Sequence, residues 1–165
     1  MHFEIAHELD APLDAIERAV MSPELGPMLA SSLTSIESVE TTLHELSDGE
    51  LRRVLRFQAS APLAIFKSYP VAHDAMSWEE RWTYRIADHT STWTVLTKDE
   101  WRRYFQSQGT YTLQAAPGGR TRRVVRGELE IKLPVIGRVV ERMALVEVQK
   151  TYDAEADTLR RLATL

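Results

Sequence analysis

The chain has 165 residues, of which 44% are hydrophobic and 27% charged, and its formal net charge is −4. This composition, with no linker-like stretch, predicts a single folded domain over residues 1–165. The slight excess of negative charge argues against a nucleic-acid partner, and the lack of cysteines excludes disulfides, thiolate nucleophiles and cysteine-ligated zinc.

The N-terminal part of the chain predicts one strand followed by two short helices. Residues 2–9 alternate between apolar and charged side chains, as in a strand with one solvent-facing side. Asp10 and Pro12 then favour a helix start, and apolar residues continue at helical spacing to Val20. A second start at Ser22 leads into another short helical pattern that reaches Leu33.

The middle of the chain predicts a series of strands. Asp48 and Gly49 separate the segments 36–47 and 50–58 and predict a hairpin turn. Residues 61–76 contain two prolines and no sustained period, which predicts a long connection with at most a short strand or helical turn, at the rim of a pocket. Four further strands are predicted at 77–87, 90–97, 106–116 and 120–133.

The last element is predicted to be a long helix from Pro134 to about Ala163. Seven strands without crossover helices require an antiparallel sheet, so the predicted fold class is α+β, with the sheet curved around this helix. The helix carries two apolar groups at different azimuths, which predicts a bend or a new packing partner around Glu147. The first group is Ile136, Val139, Val140, Met143 and Val146, and the second is Leu145, Val148, Tyr152, Leu159 and Leu162.

Three segments of the chain resemble a known family. They are Phe-Glu-Ile-Ala-His-Glu-Leu-Asp-Ala-Pro at residues 3–12, Trp-Thr-Tyr at 82–84, and Gly-Glu-Leu-Glu-Ile-Lys-Leu-Pro-Val-Ile-Gly at 127–137. The chain resembles an uncharacterised bacterial family, a domain of unknown function in the START-like superfamily (SRPBCC, helix-grip), which also contains polyketide cyclases, the birch-pollen allergen and lipid-transfer domains. The resemblance implies seven strands, two small helices and one long helix over an internal hydrophobic cavity. It says little about chemistry, because ligands and activities differ within the superfamily.

Strand alternation predicts which side chains face the interior. In the strand 77–87 the apolar-rich face carries three aromatic residues, and equivalent faces of the later strands and the first helical group complete a predicted ligand cavity. Gly127 is expected to leave space among these side chains, and Met28 and Leu29 to close one end. A cluster of Trp and Tyr residues beside a glycine favours a lined cavity, although the same residues can fill a solid core. The predicted lining comprises Met28, Leu29, Trp78, Trp82, Tyr84, Trp93, Val95, Tyr111, Leu113, Val125, Gly127, Leu129, Ile131, Ile136, Val139, Val140, Met143 and Glu147.

Two acidic residues are candidates for polar contacts in the cavity. Glu80 on the inner strand face and Glu147 on the helix are expected to point inward and to contact a polar ligand group or Arg81. The alternative is that Glu147 pairs with a neighbouring Arg or Lys or lies at the solvent edge.

Basic and aromatic residues are mixed at 101–105, and a second basic run occupies 120–123. If the strands predicted at 106–116 and 120–133 form a hairpin that brings the two basic runs together, we expect transient contact with an anionic membrane. Otherwise these charges are solvated. The opening residues lack the features of a secretion signal, and no run approaches the length of a membrane span, so a cytoplasmic protein is expected.

The sequence predicts no metal and no cofactor. The five histidines have no metal-ligand spacing, and no HExxH, GxSxG, GxxxxGK[ST] or GxGxxG motif occurs. The leading functional prediction is the binding or carriage of a hydrophobic small molecule, lipid-like or polyketide-like. The alternatives are a cyclase or hydratase-type enzyme acting in the same cavity, with an unidentified catalytic residue, and a protein-interaction module with a vestigial cavity. The sequence leaves the oligomeric state open.

Overall fold

A computed structural model describes residues 1–60 and 76–165. Its elements, in chain order, are β1 (His2–Leu9), α1 (Leu13–Val20), α2 (Leu25–Ser32), β2 (Ile36–Ser47), β3 (Glu50–Ala59), β4 (Ser77–Arg85), β5 (Thr90–Thr97), α3 (Asp99–Arg102), β6 (Phe105–Ala116), β7 (Arg120–Ile131) and α4 (Gly137–Ala163). The connection predicted at 61–76 lies outside the described residues up to position 75.

The seven strands form one antiparallel sheet in the order β1-β7-β6-β5-β4-β3-β2, and α4 packs across it. This arrangement confirms the predicted α+β helix-grip fold. The β2–β3 hairpin turns at Asp48 and Gly49, both with positive φ (53° and 75°), a conformation that Gly adopts without strain and Asp tolerates.

Several element boundaries differ from the prediction by one to three residues; for example, the strand predicted at 77–87 ends at Arg85. The strand predicted at 120–133 ends at Ile131, and α4 begins at Gly137 instead of Pro134. Val135 lies between them with φ 68°, a left-handed conformation that interrupts both strand and helix. The short helix α3, between β5 and β6, was not predicted, because its four residues are too few to show a period.

The long helix buries one continuous face and not two, so the predicted change of azimuth at Glu147 is wrong. Gly137, Val140, Glu141, Ala144, Tyr152, Glu155, Ala156, Thr158 and Leu159 are buried along this face. Val139, Met143 and Val146, expected to point inward, are 57%, 36% and 54% exposed.

The packing partner of α4 does change along its length, which was the other outcome predicted for the region around Glu147. Near its start, Val140 and Ala144 pack with Leu129 and Ile131 of β7. Its C-terminal half joins a larger core that includes α1, with Leu159 fully buried there. The end of the molecule near α1 is therefore solid, whereas the end near the start of α4 is more loosely filled.

Candidate ligand cavity

A cavity of about 220 Å³ lies between the sheet and α4. Its walls are mostly apolar. Trp78, Trp82 and Trp93 form one side, with Phe57 stacked on Trp78 at 5.5 Å between ring centroids. Such an enclosure, apolar with a few polar groups, is typical of small-molecule sites.

The structure brings half of the predicted lining residues to this cavity. Leu29, Trp78, Trp82, Trp93, Val95, Leu129, Ile131, Val140 and Glu147 line it. Met28, Tyr84, Tyr111, Leu113, Val125, Gly127, Ile136, Val139 and Met143 do not line it.

The residues outside the cavity fall into groups with different causes. Tyr84, Tyr111, Leu113 and Val125 face inward as expected, but at the end of the sheet where α1 and the C-terminal half of α4 fill the space. Val139 and Met143 lie on the exposed side of α4. Met28 and Ile136 are partly buried and do not line the cavity.

Gly127 allows aromatic rings to pack closely against the backbone and does not leave open space. It pairs with Phe3 on one side and Gly109 on the other, and Trp93 follows in the same row across the sheet. A Cβ at Gly127 would lie 2.7 Å from both the Phe3 and Trp93 rings. The two rings therefore lie over the glycine pair and occupy the space that was expected to be free.

A buried arginine, not predicted from the sequence, lies at the inner end of the cavity. Arg53 is 3% exposed, and its Nη1 donates to the Val20 carbonyl at 2.5 Å. Its guanidinium carbon lies 4.7 Å from the Trp82 ring centroid, in cation–π contact. Burial lowers the pKa of Arg53, partly offset by the nearby Glu155 and Glu80, but a guanidinium stays protonated at neutral pH.

Glu80 faces the same inner end. Its Oε1 accepts a hydrogen bond from Trp82 Nε1. Burial, and then the negative charge of Glu155, raise the pKa of Glu80 to about 7, while the Trp82 bond and the Arg53 charge act in the opposite direction. A carboxyl of this kind exchanges a proton near neutral pH, as an acid–base catalyst must.

A second buried arginine, Arg123, contacts Glu155, which lines the cavity. Arg123 is fully buried, and its Nη1 lies 3.5 Å from Glu155 Oε2. Its Nη2 donates to the Tyr152 carbonyl at 2.7 Å and contacts His7 Nδ1 at 2.9 Å. Burial raises the pKa of both Tyr111 and Tyr152, so both phenols are neutral.

Strand alternation places two of these charged residues, Arg53 and Arg123, on inward-facing sides of their strands. Arg53 lies on the face of β3 that carries Leu51, Leu55 and Phe57, and Arg123 precedes Val125 on the inner face of β7. Arg123 belongs to the basic run 120–123, for which solvation was the alternative, and Arg53 was not singled out in the sequence.

The predicted meeting of Glu80, Glu147 and Arg81 does not form. Arg81 is exposed and its Nη2 donates to Glu79 at 3.1 Å, on the other face of β4. Glu147 lines the cavity edge, but its Oε1 accepts from Lys150 Nζ at 3.1 Å. The pairing with a nearby Lys, given as the alternative, is the arrangement observed.

The far end of the cavity carries two other polar groups. Thr97 at the end of β5 and Trp101 in α3 both line it. In the described part of the chain, Thr97 Oγ1 and Trp101 Nε1 are buried without a hydrogen-bond partner, as is Arg53 Nε at the inner end.

The two basic runs do not form one patch. Residues 105–116 and 120–131 do form a hairpin, but Phe105 pairs with Ile131, whereas Ala116 pairs with Arg120 next to the turn. The runs at 101–105 and 120–123 therefore lie at opposite ends of it, and Arg123 is buried.

Neither a membrane span nor a metal site is found among the described residues. No helix in residues 1–60 and 76–165 is long and apolar enough to cross a membrane. In the same ranges, no group of three or more His, Asp or Glu side chains is placed to hold a metal ion.

Comparison with known proteins gives a family and a fold. The model of a family described as "Protein of unknown function (DUF2505)" matches residues 4–162. No match was found among curated proteins.

Solved structures with the same fold come from distant proteins. An aromatase/cyclase, Zhui, from Streptomyces sp. R1128 superposes with a TM-score of 0.68 at 16% identity, covering 99% of this chain and 93% of the other. A START superfamily protein from Mycobacterium smegmatis gives 0.63 at 16% identity, covering 98% of each chain. Norcoclaurine synthase from Thalictrum flavum, in complex with dopamine and hydroxybenzaldehyde, gives 0.63 at 15% identity, covering 95% and 84%. At these identities the similarity shows the fold alone.

Proposed function

Because the chain belongs to the DUF2505 family of proteins of unknown function and has the START-like helix-grip fold, we propose its function from the cavity: the protein binds a compact hydrophobic small molecule between the sheet and α4. The observation that carries this proposal is the cavity itself, walled by three tryptophans and aliphatic side chains. The proposal refines the lipid-like or polyketide-like ligand expected from the sequence.

The size of the cavity limits the ligand. At about 220 Å³ it lies below the roughly 300–1,000 Å³ of pockets for drug-sized ligands, which favours a molecule of one or two rings over a long acyl chain. The neighbour of the same fold that holds dopamine and hydroxybenzaldehyde, both single-ring aromatic compounds, is consistent with this size.

A second function, a cyclase or hydratase-type reaction in the same cavity, is favoured by Glu80. Its pKa of about 7 suits proton transfer at neutral pH, and Glu155 lies close enough to raise it. Two neighbours of the fold are an aromatase/cyclase and a synthase. A protein-interaction module with a vestigial cavity is disfavoured, since that alternative requires a filled core.

Native mass spectrometry of the protein purified from its own host tests the binding proposal. We expect an additional mass, released on denaturation, that corresponds to a compact hydrophobic compound of one or two rings. Protein that carries no ligand, and that binds none from a cell extract of the host, would overturn the proposal.

The enzyme alternative is tested with the ligand so found and Glu80→Gln. A general acid–base role predicts that this variant keeps binding but loses turnover by about 100-fold or more. Unchanged turnover, or no chemical conversion by the wild-type protein, leaves binding as the function.

A further inference from the structure

Three buried donors without partners lie at the two ends of the cavity. Arg53 Nε is at the inner end, and Thr97 Oγ1 and Trp101 Nε1 are at the outer end. None has a hydrogen-bond partner within residues 1–60 and 76–165. A buried polar group without a partner costs about 1–3 kcal/mol, so such groups in a cavity indicate a ligand or an ordered water.

The strand register gives the separation of these ends. Arg53 pairs with Trp82 on β4, and Thr97 pairs with Trp78 on the same strand. Four residues of a strand span about 13 Å. This is a backbone spacing, and the side-chain donors and their hydrogen bonds occupy part of it. With a cavity of about 220 Å³, the remaining space suits a fused two-ring system.

The polar groups at both ends of the cavity favour uncharged oxygen atoms on the ligand. Arg53 donates and repels an ammonium group, while Glu80 and Glu155 line the same end and disfavour a carboxylate. At the outer end Trp101 Nε1 can only donate, so it requires an acceptor. A hydroxyl or carbonyl oxygen satisfies each end.

We propose that the ligand is a flat two-ring molecule with a hydroxyl or carbonyl oxygen at each end, one received by Arg53 and the other by Thr97 and Trp101. This inference rests on the proposed binding function. The rings of Trp78, Trp82 and Trp93 supply the apolar wall between the two polar ends.

Isothermal titration with naphthalene, 2-naphthol and 2,6-naphthalenediol tests the proposal, since these probes differ only in the number of oxygens. Each correctly placed oxygen is expected to tighten binding by about tenfold, equivalent to about 1.4 kcal/mol. Thr97→Val and Trp101→Phe should abolish the gain from the second oxygen, so that each variant binds 2,6-naphthalenediol no more tightly than 2-naphthol. Thr94→Val, an exposed position on the same strand, is the matched control and should change nothing.

Arg53→Met should remove the gain from the first oxygen, provided that circular dichroism shows a folded protein. If this variant fails to fold, the Thr97 and Trp101 variants still decide the question.

The outcomes separate the two proposals. Equal affinity for all three probes would mean that ordered water satisfies the donors; it would overturn the two-ended recognition and leave the binding function intact. The two-ended recognition would also be overturned if Thr97→Val and Trp101→Phe both still bound 2,6-naphthalenediol more tightly than 2-naphthol. If not even naphthalene binds, the binding function itself fails.

Discussion

The Arg53 guanidinium carbon lies 4.7 Å from the centroid of the Trp82 ring, so the cavity that Trp78, Trp82 and Trp93 line also holds a buried positive charge. The ring face, the Val20 carbonyl and the carboxylates of Glu80 and Glu155 surround this charge. The cavity therefore has a charged inner end and an apolar middle, a division that fixes how a bound molecule can be oriented.

Arg53 is expected to be essential for stability. Arg53→Met removes the cation that faces two buried carboxyl groups and the hydrogen bond to Val20, which should lower the free energy of unfolding by about 3 kcal/mol. Arg52→Met, at an adjacent exposed position whose guanidinium forms an ion pair with Glu50, should cost less than about 1 kcal/mol. Urea denaturation measures both, and equal effects would show that Arg53 is not held as described.

Glu80 makes stability depend on pH in an unusual direction. The folded carboxyl keeps its proton up to about pH 7, whereas the unfolded one loses it near pH 4.5. Folding therefore takes up a proton between these values, and this contribution to stability is lost as the pH rises through them. Relative to wild type, Glu80→Gln should gain stability between pH 4.5 and 7, by up to about 3 kcal/mol.

Glu79→Gln is the matched control for that titration. Burial acts to raise the pKa of Glu79, but hydrogen bonds and charges from Arg81 and Arg56 lower it overall. Its contribution to stability is therefore present above its unfolded pKa and lost at acid pH, so Glu79→Gln should lose stability relative to wild type as pH rises. Parallel curves for the two variants would contradict the assignment of Glu80 to the buried, inner face.

The glycine pair beneath Phe3 and Trp93 is expected not to tolerate a methyl group. Gly127→Ala would place Cβ 2.7 Å from both rings and should cost about 1–3 kcal/mol. Trp93→Phe removes the indole atoms nearest to this position, so the cost of Gly127→Ala should be smaller in that background. Thermal unfolding of the two single variants and the double variant measures the coupling, and additive effects would show that the rings are not packed on the glycine.

Tyr84 is expected to support the core without influencing the ligand. Its hydroxyl donates to Glu17 Oε1 at 2.6 Å, and His89 Nδ1 contacts the same oxygen at 2.6 Å. Tyr84→Phe should cost about 1–2 kcal/mol of stability because a buried hydrogen bond is lost, yet leave 2-naphthol affinity unchanged. A large loss of affinity in the folded variant would mean that the cavity extends into the α1 end.

The sheet could be predicted from the sequence because alternation is a local property. The β2–β3 hairpin follows from Asp48 and Gly49, and the inward face of β4 from the spacing of Trp78, Trp82 and Tyr84. The location of the cavity could not be predicted in the same way. Tyr84 and Trp82 lie on the same face of β4. Only the packing of α1 near Tyr84 fills the sheet at that end, while Trp82 lines the cavity.

The buried face of α4 was predicted incorrectly for a physical reason. Apolar periodicity favours Val139 and Val146, but the face that packs inward is built from small and polar residues such as Ala144 and Glu155. Glu155 is buried because Arg123 of β7 reaches it, a pairing between distant segments that no local pattern reveals. At the inner end of the cavity, Glu80 was expected to point inward, whereas Arg53 and Glu155 were not singled out.

Filling the cavity is the most direct test of its role. Val140 lines the cavity, whereas its neighbour Val139 is 57% exposed, so Val140→Phe and Val139→Phe add the same group inside and outside it. Isothermal titration with 2-naphthol should show at least tenfold weaker binding to folded Val140→Phe and wild-type affinity for Val139→Phe. Equal affinity for wild type and both variants would contradict the account, because the ligand would then bind elsewhere.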